Sequence, residues 1–371
     1  MSMVKLSIRM VFMLHNIFQF IYIFTIKQIN FETLIILFCL MGVVSGFTQL
    51  GYIDIVSRAL VNKAYNLRIL MLTLVTATYA LSMVVTNDVG LIIMVPFTIT
   101  VLSSINRNDK LIKVVVLETL AANLGGMATP IGNPHNLFTF QLYEMKPTKF
   151  MMTLLPYVIV SVAVLILIVF FDKNSWNKIN VNIENIANKQ ISKVRKYILT
   201  ISYIILFVLC LCVVLEFIEC YIVLAIEILF ILIYDRKVLG KINYGLLIKF
   251  TILFIIVGNL ARFPWINQNL HHIVKGNEFF LSIVLSQFLS NLPVTAMLAE
   301  FTSNGYDLML GADIGGLGTL IASMASMISL EFYGKSKDAD KKKYIRVFTL
   351  YNVVMLVLMI MVRLLLQICN I

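Results

Sequence analysis

The segment 121–136, AANLGGMATPIGNPHN, constrains the fold of this chain more than any other feature. It lies inside the apolar stretch 111–140, which is long enough to cross a bilayer as one helix. Because it contains three glycines, two prolines and three asparagines, we predict that the helix breaks between Leu124 and Pro134. Broken backbone at membrane depth survives only inside protein or beside a wet cavity. The segment therefore predicts a solute or ion site, with a kinked helix capped by its neighbours as the alternative.

The composition excludes a soluble protein of this length. Of the 371 residues, 60% are hydrophobic and 13% are charged, and the mean hydropathy is +0.92, which is typical of an all-α polytopic membrane protein. The net charge of +11 does not indicate a nucleic-acid partner, because the lysines and arginines lie in short loops between apolar runs. The five cysteines have no metal-ligand spacing and are interpreted as packing residues.

Nine apolar stretches are long enough for full spans. They are about 7–26, 30–50, 112–140, 148–171, 196–216, 218–234, 243–261, 305–330 and 346–368. Two further stretches, about 69–104 and 278–302, are too long for one crossing and too short for two with a loop. Each has polar residues at its centre, so we predict two re-entrant helical hairpins. A pair of short spans with a tight polar turn is the alternative.

The basic residues predict the orientation. With a cytoplasmic N-terminus and with each hairpin returning to its own side, 23 lysines and arginines fall in cytoplasmic segments and 5 in outside loops. This bias follows the positive-inside rule and indicates a multi-pass protein of the cytoplasmic (inner or plasma) membrane. It also supports the hairpins, because converting one of them into a full crossing would invert every later loop.

The order span, span, hairpin, broken span, span occurs twice along the chain. We therefore divide it into a first repeat (1–171), a cytoplasmic linker with an extra span (172–217) and a second repeat (218–371). The broken helix at about 112–140 in the first repeat has its equivalent at about 305–330 in the second. Since the extra span is an odd crossing, the second repeat enters the membrane upside down. Inverted repeats with discontinuous helices are the architecture of secondary transporters.

The hairpin tips and the helix breaks carry the predicted ion- and substrate-binding residues. Helix N-termini favour anions, and unwound carbonyls together with Asn, Ser and Thr oxygens suit Na⁺. The first tip and the break that faces it comprise Thr86, Asn87, Asp88, Thr129, Pro130, Gly132 and Asn133. The second tip and its break comprise Ser290, Asn291, Pro293, Gly315, Gly316, Gly318 and Thr319. Sodium is expected at Thr86, Asn87, Ser290 and Asn291.

Four ionisable side chains near these sites are candidates for proton coupling. Asp88 is costly at a tip inside the membrane, and capping of the returning arm is its alternative role. Glu118 precedes the first break, where it either relays protons or makes a helix-to-helix hydrogen bond. Asp313 precedes the second break, where it either titrates or caps a half-helix. His135 lies in the first break as a proton group or as a hydrogen-bonding spacer.

Four motifs of the chain resemble the ion-transporter superfamily. They are TNDVGLIIMVPFTI, ATPIGNPHNLF, SQFLSNLPVTAML and GADIGGLGTLIASMASMIS. The closest likeness is to its ArsB/NhaD-like and citrate-transporter-like permeases, and within them to the short inner-membrane permeases of the YbiR type, over about 31–351. The resemblance implies a scaffold domain and a transport domain, often in a dimer, that moves substrate by an elevator motion.

The resemblance also implies roles for the tips. In the divalent-anion/sodium symporters of this superfamily, paired Ser-Asn-Thr tips bind Na⁺ and substrate carboxylates. Here the tips read Thr86-Asn87-Asp88 and Ser290-Asn291-Leu292, so the third position differs at both. Asp88 instead resembles the TND tip of arsenite and sodium/proton members.

The sequence thus predicts a secondary active transporter for a small inorganic or organic anion, coupled to Na⁺ or H⁺ and embedded in the lipid bilayer. Arsenite efflux or Na⁺/H⁺ antiport is the alternative. An enzyme is not expected, because the spans show no zinc-type His-Glu spacing, Ser/Lys dyad or paired catalytic carboxylates. A channel is disfavoured by the two inverted broken-helix repeats. We expect no cofactor besides the coupling ion, no nucleic-acid partner, and a homodimer.

Overall fold

The computed structural model describes residues 26–51, 64–172, 193–215, 217–260, 263, 271–337 and 339–369. Within these ranges every regular element is helical, as predicted for an all-α membrane protein. The predicted span at about 7–26 lies outside the described residues except for its last residue, and so does the linker segment 173–192.

The helices follow one another through mostly short connections. The first half contains α1 (Phe31–Gln49), α2 (Leu67–Val84), α3 (Asn87–Ser104), α4 (Leu111–Gly126), α5 (Pro134–Leu142) and α6 (Pro147–Phe170). The remainder contains α7 (Lys193–Val214), α8 (Cys220–Tyr234), α9 (Tyr244–Leu260), α10 (Glu278–Leu289), α11 (Asn291–Ala299), α12 (Gly305–Gly315), α13 (Met324–Gly334) and α14 (Lys341–Ile368).

Six of the described helices are long and apolar enough to cross a membrane. They are α1, α2, α3, α6, α7 and α14. The chain is therefore a multi-pass membrane protein. The count of nine full spans and the inverted relation of the two repeats stay predictions.

The first hairpin consists of α2 and α3, with only Val85 and Thr86 between them. The Asn66 side chain starts α2 by accepting a hydrogen bond from the Ile69 N–H at 2.9 Å. Each arm has 18 residues and qualifies as a membrane span by length and hydropathy. The re-entrant form of this hairpin therefore stays a prediction.

The second hairpin has much shorter arms. α10 has 12 residues and α11 has 9, which correspond to about 18 Å and 14 Å of helix. Both arms are shorter than the roughly 20 residues that a full crossing needs. A single residue, Ser290, separates them, and its backbone lies in the left-handed region with φ 73°.

Both helix breaks occur where the sequence concentrates its helix-breaking residues. The first lies between Gly126 at the end of α4 and Pro134 at the start of α5, inside the predicted interval. The second lies between Gly315 at the end of α12 and Met324 at the start of α13, and it contains a short 3₁₀ turn at Leu320–Ala322.

A glycine allows close contact between the broken helix and the first hairpin arm in each half. A Cβ atom on Gly125 of α4 would lie 2.4 Å from the Tyr79 carbonyl oxygen of α2. A Cβ atom on Gly311 of α12 would lie 2.5 Å from the Phe279 carbonyl oxygen of α10. Any side chain would push these helices apart, so the two glycines fix the backbone approach.

The two halves meet through α13, which packs on α3 and α4. A separate group of helices, α1, α7 and α8, packs together. Within this group Tyr203 of α7 lies against Gly46 of α1, and its hydroxyl donates to the Asp235 carboxylate at 3.0 Å. The buried cysteines Cys39 and Cys210 also belong to this group, as free thiols.

Candidate functional site

The first hairpin tip is bonded to the first helix break through Asn87. The Asn87 backbone N–H donates to the Gly132 carbonyl at 2.9 Å, and its side-chain amide donates to Asn123 Oδ1 at 3.1 Å. Asn87 Oδ1 accepts from the Asp88 N–H at 2.8 Å, which helps to start α3. The tip and the loop, which the sequence predicts to lie opposite each other, are in direct contact.

A second bond fixes the same loop. Thr129 Oγ1 donates to the Met83 carbonyl at 2.5 Å, one turn before the tip. Pro130 is half-buried beside it. Thr86 is the N-cap residue of α3, but its side chain makes no capping hydrogen bond, so its hydroxyl is not used by the helix.

Several oxygen atoms converge inside the first break. A Cβ atom on Gly132 would lie 2.3 Å from the Gly126 carbonyl oxygen and 2.8 Å from the Ser82 carbonyl oxygen. Ser82 Oγ and Asn133 Oδ1 are buried without a hydrogen-bond partner among the described residues. Buried polar atoms are normally paired. Carbonyl and amide oxygens are ligands that suit a small hard cation, so the Gly126 and Ser82 carbonyls together with Asn133 Oδ1 could hold Na⁺.

The second tip has a similar but distinct arrangement. Ser286 Oγ and Ser290 Oγ are buried and unpartnered among the described residues. Asn291 Oδ1 accepts from the Leu292 N–H at 2.9 Å, as Asn87 does for Asp88. A Cβ atom on Gly316 would lie 2.8 Å from Asn291 Nδ2. The predicted residue Pro293 lies inside α11, half-buried.

Gln287 holds the second break, and the sequence analysis missed it. Its Nε2 donates to the Gly315 carbonyl at 3.0 Å and to the Leu317 carbonyl at 3.1 Å. Its Oε1 accepts from the Thr319 N–H at 3.0 Å, and Thr319 Oγ1 donates to the Gln287 carbonyl at 2.9 Å. Gly318, with φ 103°, provides the turn around this side chain. The available signal was a lone glutamine in an apolar arm three residues before the tip.

Asp313 connects the two halves. Its Oδ1 accepts from Asn133 Nδ2 at 2.9 Å and lies 3.0 Å from His135 Nε2, while its Oδ2 is buried without a partner among the described residues. These bonds run to side chains of the first half, so the carboxylate does not cap a half-helix. His135 is bonded to it, and both side chains are buried.

Asn123 makes a second connection between the halves. Its Oδ1 accepts from Asn87 and also from Ser323 Oγ, the latter at 3.0 Å. Its Nδ2 is buried and has no partner among the described residues. Ser323, which precedes α13, is a further residue that sequence reasoning missed, since its role depends on the contact of distant segments.

Asp88 faces a cleft. Its side chain does not cap α3, because the N-cap residue is Thr86. The cleft lies between α1, α3 and residues 241–246, and its empty volume, including the open mouth, is about 760 Å³. Its polar lining includes Ser45, Thr48, Thr86, Asp88, Lys241 and Asn243. The first tip is therefore accessible from a space wide enough for a small solute.

Glu118 lies deeper in the same bundle. It is fully buried on α4, and its Oε1 accepts from Thr98 Oγ1 of α3 at 2.6 Å. Thr78 Oγ1 of α2 lies 3.4 Å from the same oxygen. The helix-to-helix hydrogen bond that the sequence offered as one of two roles is present.

Comparison with known proteins gives a consistent result. Residues 1–304 match the model of the CitMHS family, described as citrate transporter. The chain is 32% identical over 328 residues to an uncharacterized transporter of Methanocaldococcus jannaschii, covering 88% of this chain and 87% of the relative. It is 28% identical over 337 residues to the inner membrane protein YbiR of Escherichia coli, covering 88% and 85%. A shorter match, 31% over 128 residues, covers 33% of this chain and 14% of the P protein of Homo sapiens.

Proposed function

This chain belongs to the citrate transporter family, and we propose that it is a secondary active transporter that moves a small inorganic or organic anion, coupled to Na⁺ or H⁺. Family membership makes it a membrane transporter rather than an enzyme. As such it works within a lipid bilayer on a small substrate. The anion, the coupling ion and the mechanism belong to the proposal.

The observation that carries the proposal is the group of unpartnered oxygens at each tip. Ser82 Oγ and Ser286 Oγ lie at equivalent positions, four residues before each tip, and one further unpartnered oxygen accompanies each: Asn133 Oδ1 in the first break and Ser290 Oγ at the second tip. Leaving such groups unpaired costs about 1–3 kcal/mol each, and a bound cation would remove that cost. A cation there would also attract an anion to the neighbouring helix N-termini.

An elevator motion fits the division of the helices. The tips and breaks are tied to one another by Asp313 and Asn123, so they would move as one body. The group α1, α7 and α8 would serve as the scaffold. The cleft at Asp88 lies between α1 of that scaffold and α3 of the moving body, where a solute would enter.

Orientation and assembly complete the proposal. The distribution of lysines and arginines supports a cytoplasmic N-terminus in the cytoplasmic membrane. A homodimer through the scaffold is the assembly we propose, with no cofactor beyond the coupling ion.

A thermal-shift screen of the purified protein tests the proposal. A ligand that binds only the folded state raises the melting temperature according to how far its concentration exceeds its dissociation constant. We expect citrate, succinate, sulfate or phosphate to stabilise the protein more in Na⁺ buffer, or at low pH, than in K⁺ buffer at neutral pH. The proposal fails if no anion stabilises it under any of these conditions.

Antiport is the second candidate, because an acid replaces the usual third tip residue and faces the cleft. In that case Na⁺ or low pH alone should stabilise the protein, and arsenite or Na⁺ flux should depend on the Asp88 carboxyl. Asp88→Asn would then abolish both effects. Retention of Na⁺-dependent anion stabilisation in Asp88→Asn would favour symport.

A further inference from the structure

The surroundings of Glu118 differ from those of the tips. The carboxyl is fully buried on α4, one and a half turns before Asn123, and its Oε2 has no partner among the described residues. Intramembrane carboxyls are costly to keep and mark functional paths. Neither tip contains this group, so the predicted cation sites do not account for it.

Two threonine hydroxyls contact one oxygen of this carboxyl. Thr98 Oγ1 donates to Glu118 Oε1 at 2.6 Å, while Thr78 Oγ1 lies 3.4 Å from the same oxygen and donates to the Leu74 carbonyl at 2.8 Å. Tyr344, buried on α14, is close enough to interact electrostatically with Glu118. Among the described residues, no lysine, arginine, histidine or second carboxyl forms a hydrogen bond or an ion pair with Glu118, whose polar contacts are the two threonine hydroxyls.

A lining of hydroxyls suits a group that gains and loses a proton. A hydroxyl can donate to a carboxylate or accept from a carboxylic acid, whereas a lysine or arginine can only donate. The Thr78 and Thr98 hydroxyls can therefore bond both the ionised and the protonated form of Glu118 after small rotations. Sodium is disfavoured, because the 2.6 Å contact with Thr98 leaves no space for an ion between the two oxygens.

The position of Glu118 links it to the tip. Thr98 belongs to α3, whose first residue is Asn87, and Glu118 belongs to α4, which carries Asn123. Asn87 and Asn123 are bonded to each other. A change in the Glu118–Thr98 bond would therefore act on the two helices that together hold the first tip.

We propose that Glu118 binds a proton whose uptake and release are coupled to movement of the anion, an inference that rests on the proposed function. The chain provides a matched control in Glu227 of α8. That side chain is also fully buried, both its carboxyl oxygens lack a partner among the described residues, and it packs against Gly42 of α1, in the scaffold group.

Proton binding can be measured without transport. Infrared pH-difference spectra of the full chain in liposomes should show a carboxylic-acid carbonyl band that titrates. We expect Glu118→Gln to remove a band that Glu227→Gln leaves in place. Thr98→Val keeps the carboxyl and should shift the midpoint of that band. Titrating bands identical to wild type in Glu118→Gln would overturn the proposal, as would an unchanged midpoint in Thr98→Val.

Coupling is then tested by uptake of radiolabelled citrate into proteoliposomes with and without an imposed pH gradient. Glu118→Gln should lose the stimulation by the gradient but keep citrate exchange, whereas Glu227→Gln should retain both. Persistent stimulation in Glu118→Gln overturns the proposal. If wild type moves no citrate, yet Glu118→Gln removes the infrared band, the proton site stands and the failure belongs to the choice of anion in the proposed function.

Discussion

The two hairpins hold their tips against a broken helix by different means. In the first, arms of 18 residues each meet at a two-residue tip, and the main chain of Asn87 bonds the main chain of Gly132. In the second, arms of 12 and 9 residues meet at Ser290, and the side chain of Gln287 makes the bonds to the break. A main-chain contact requires close approach, whereas a long side chain can reach across a gap. The second tip therefore adds a specific side-chain amide to the glycine-dependent packing that both halves share.

The acidic residue occupies a different position in each half. The first tip ends in Asp88 and its broken helix carries Asn123, whereas the second tip ends in Leu292 and its broken helix carries Asp313. Asp88 faces a cleft, while Asp313 is buried against Asn133 and His135. The two acids thus have different surroundings, which supports an asymmetric pair of sites rather than two copies of one.

The largest effect is expected from removing the tip amides. Asn87→Ala and Asn291→Ala should each abolish transport, because each residue starts the returning arm of its hairpin and faces the break. Asn87→Ala should also lower stability more, since it loses the bond to Asn123 in the other helix, and a hydrogen bond is worth about 1 kcal/mol net. Uptake assays measure the loss of transport. Immunoblots of the membrane fraction measure how much of each variant is inserted, which falls with its stability.

Asn277→Ala is the control for these variants. Asn277 is exposed, and among the described residues its side chain bonds only the Ile273 carbonyl of its own segment. It should insert and transport like wild type. Full activity in both tip variants would disprove the assignment of the tips to the site.

The next effect concerns the glycines of the breaks. Gly132→Ala would place its Cβ 2.3 Å from the Gly126 carbonyl oxygen, and such overpacking costs about 1–3 kcal/mol. Gly316→Ala meets the more flexible Asn291 amide at 2.8 Å and should cost less. Gly240→Ala, where the Cβ meets no described atom within 4 Å, is the control. Equal melting temperatures for Gly132→Ala and Gly240→Ala would contradict the close approach.

These residues also show what the sequence could and could not predict. Glycine and proline act locally, so the breaks near Gly126 and Gly315 were predictable from breaker density alone. The hairpin tips were predictable because polar residues interrupt apolar arms. Ser82 and Ser286 were missed, since a serine one turn before a tip looks like any helical serine. The contact of Asp313 with His135 joins residues 178 positions apart, and no local pattern encodes such a distance.

A smaller effect is expected from Gln287→Leu, and it tests the contrast between the hairpins directly. The change would leave the Gly315 and Leu317 carbonyls and the Thr319 N–H without their partner. We expect a loss of about 1 kcal/mol, because the Gly315 and Leu317 carbonyls lose a part-buried partner while water can replace the partner of the exposed Thr319 N–H. Met83 occupies the equivalent position of the first hairpin, and the break bonds its main-chain carbonyl, which Met83→Leu leaves in place. This variant should therefore leave the free energy of unfolding nearly unchanged. Equal losses of unfolding free energy for Gln287→Leu and Met83→Leu in chemical denaturation would contradict the difference between the two hairpins.

The smallest effect is expected at Ser290, where the single-residue tip holds a non-glycine backbone at φ 73° and ψ 148°. A backbone in this sparsely populated region costs about 1–3 kcal/mol, and glycine relieves most of that strain. Ser290→Gly should therefore raise the melting temperature more than Ser290→Ala, because both variants remove the unpartnered hydroxyl but alanine retains the strain. Both variants lose the unpartnered hydroxyl, so both should bind the coupling cation more weakly if Ser290 Oγ is a ligand. Stabilisation without any change in ion dependence would mean that the second tip stores strain for its geometry alone, and that the first tip is the sole cation site.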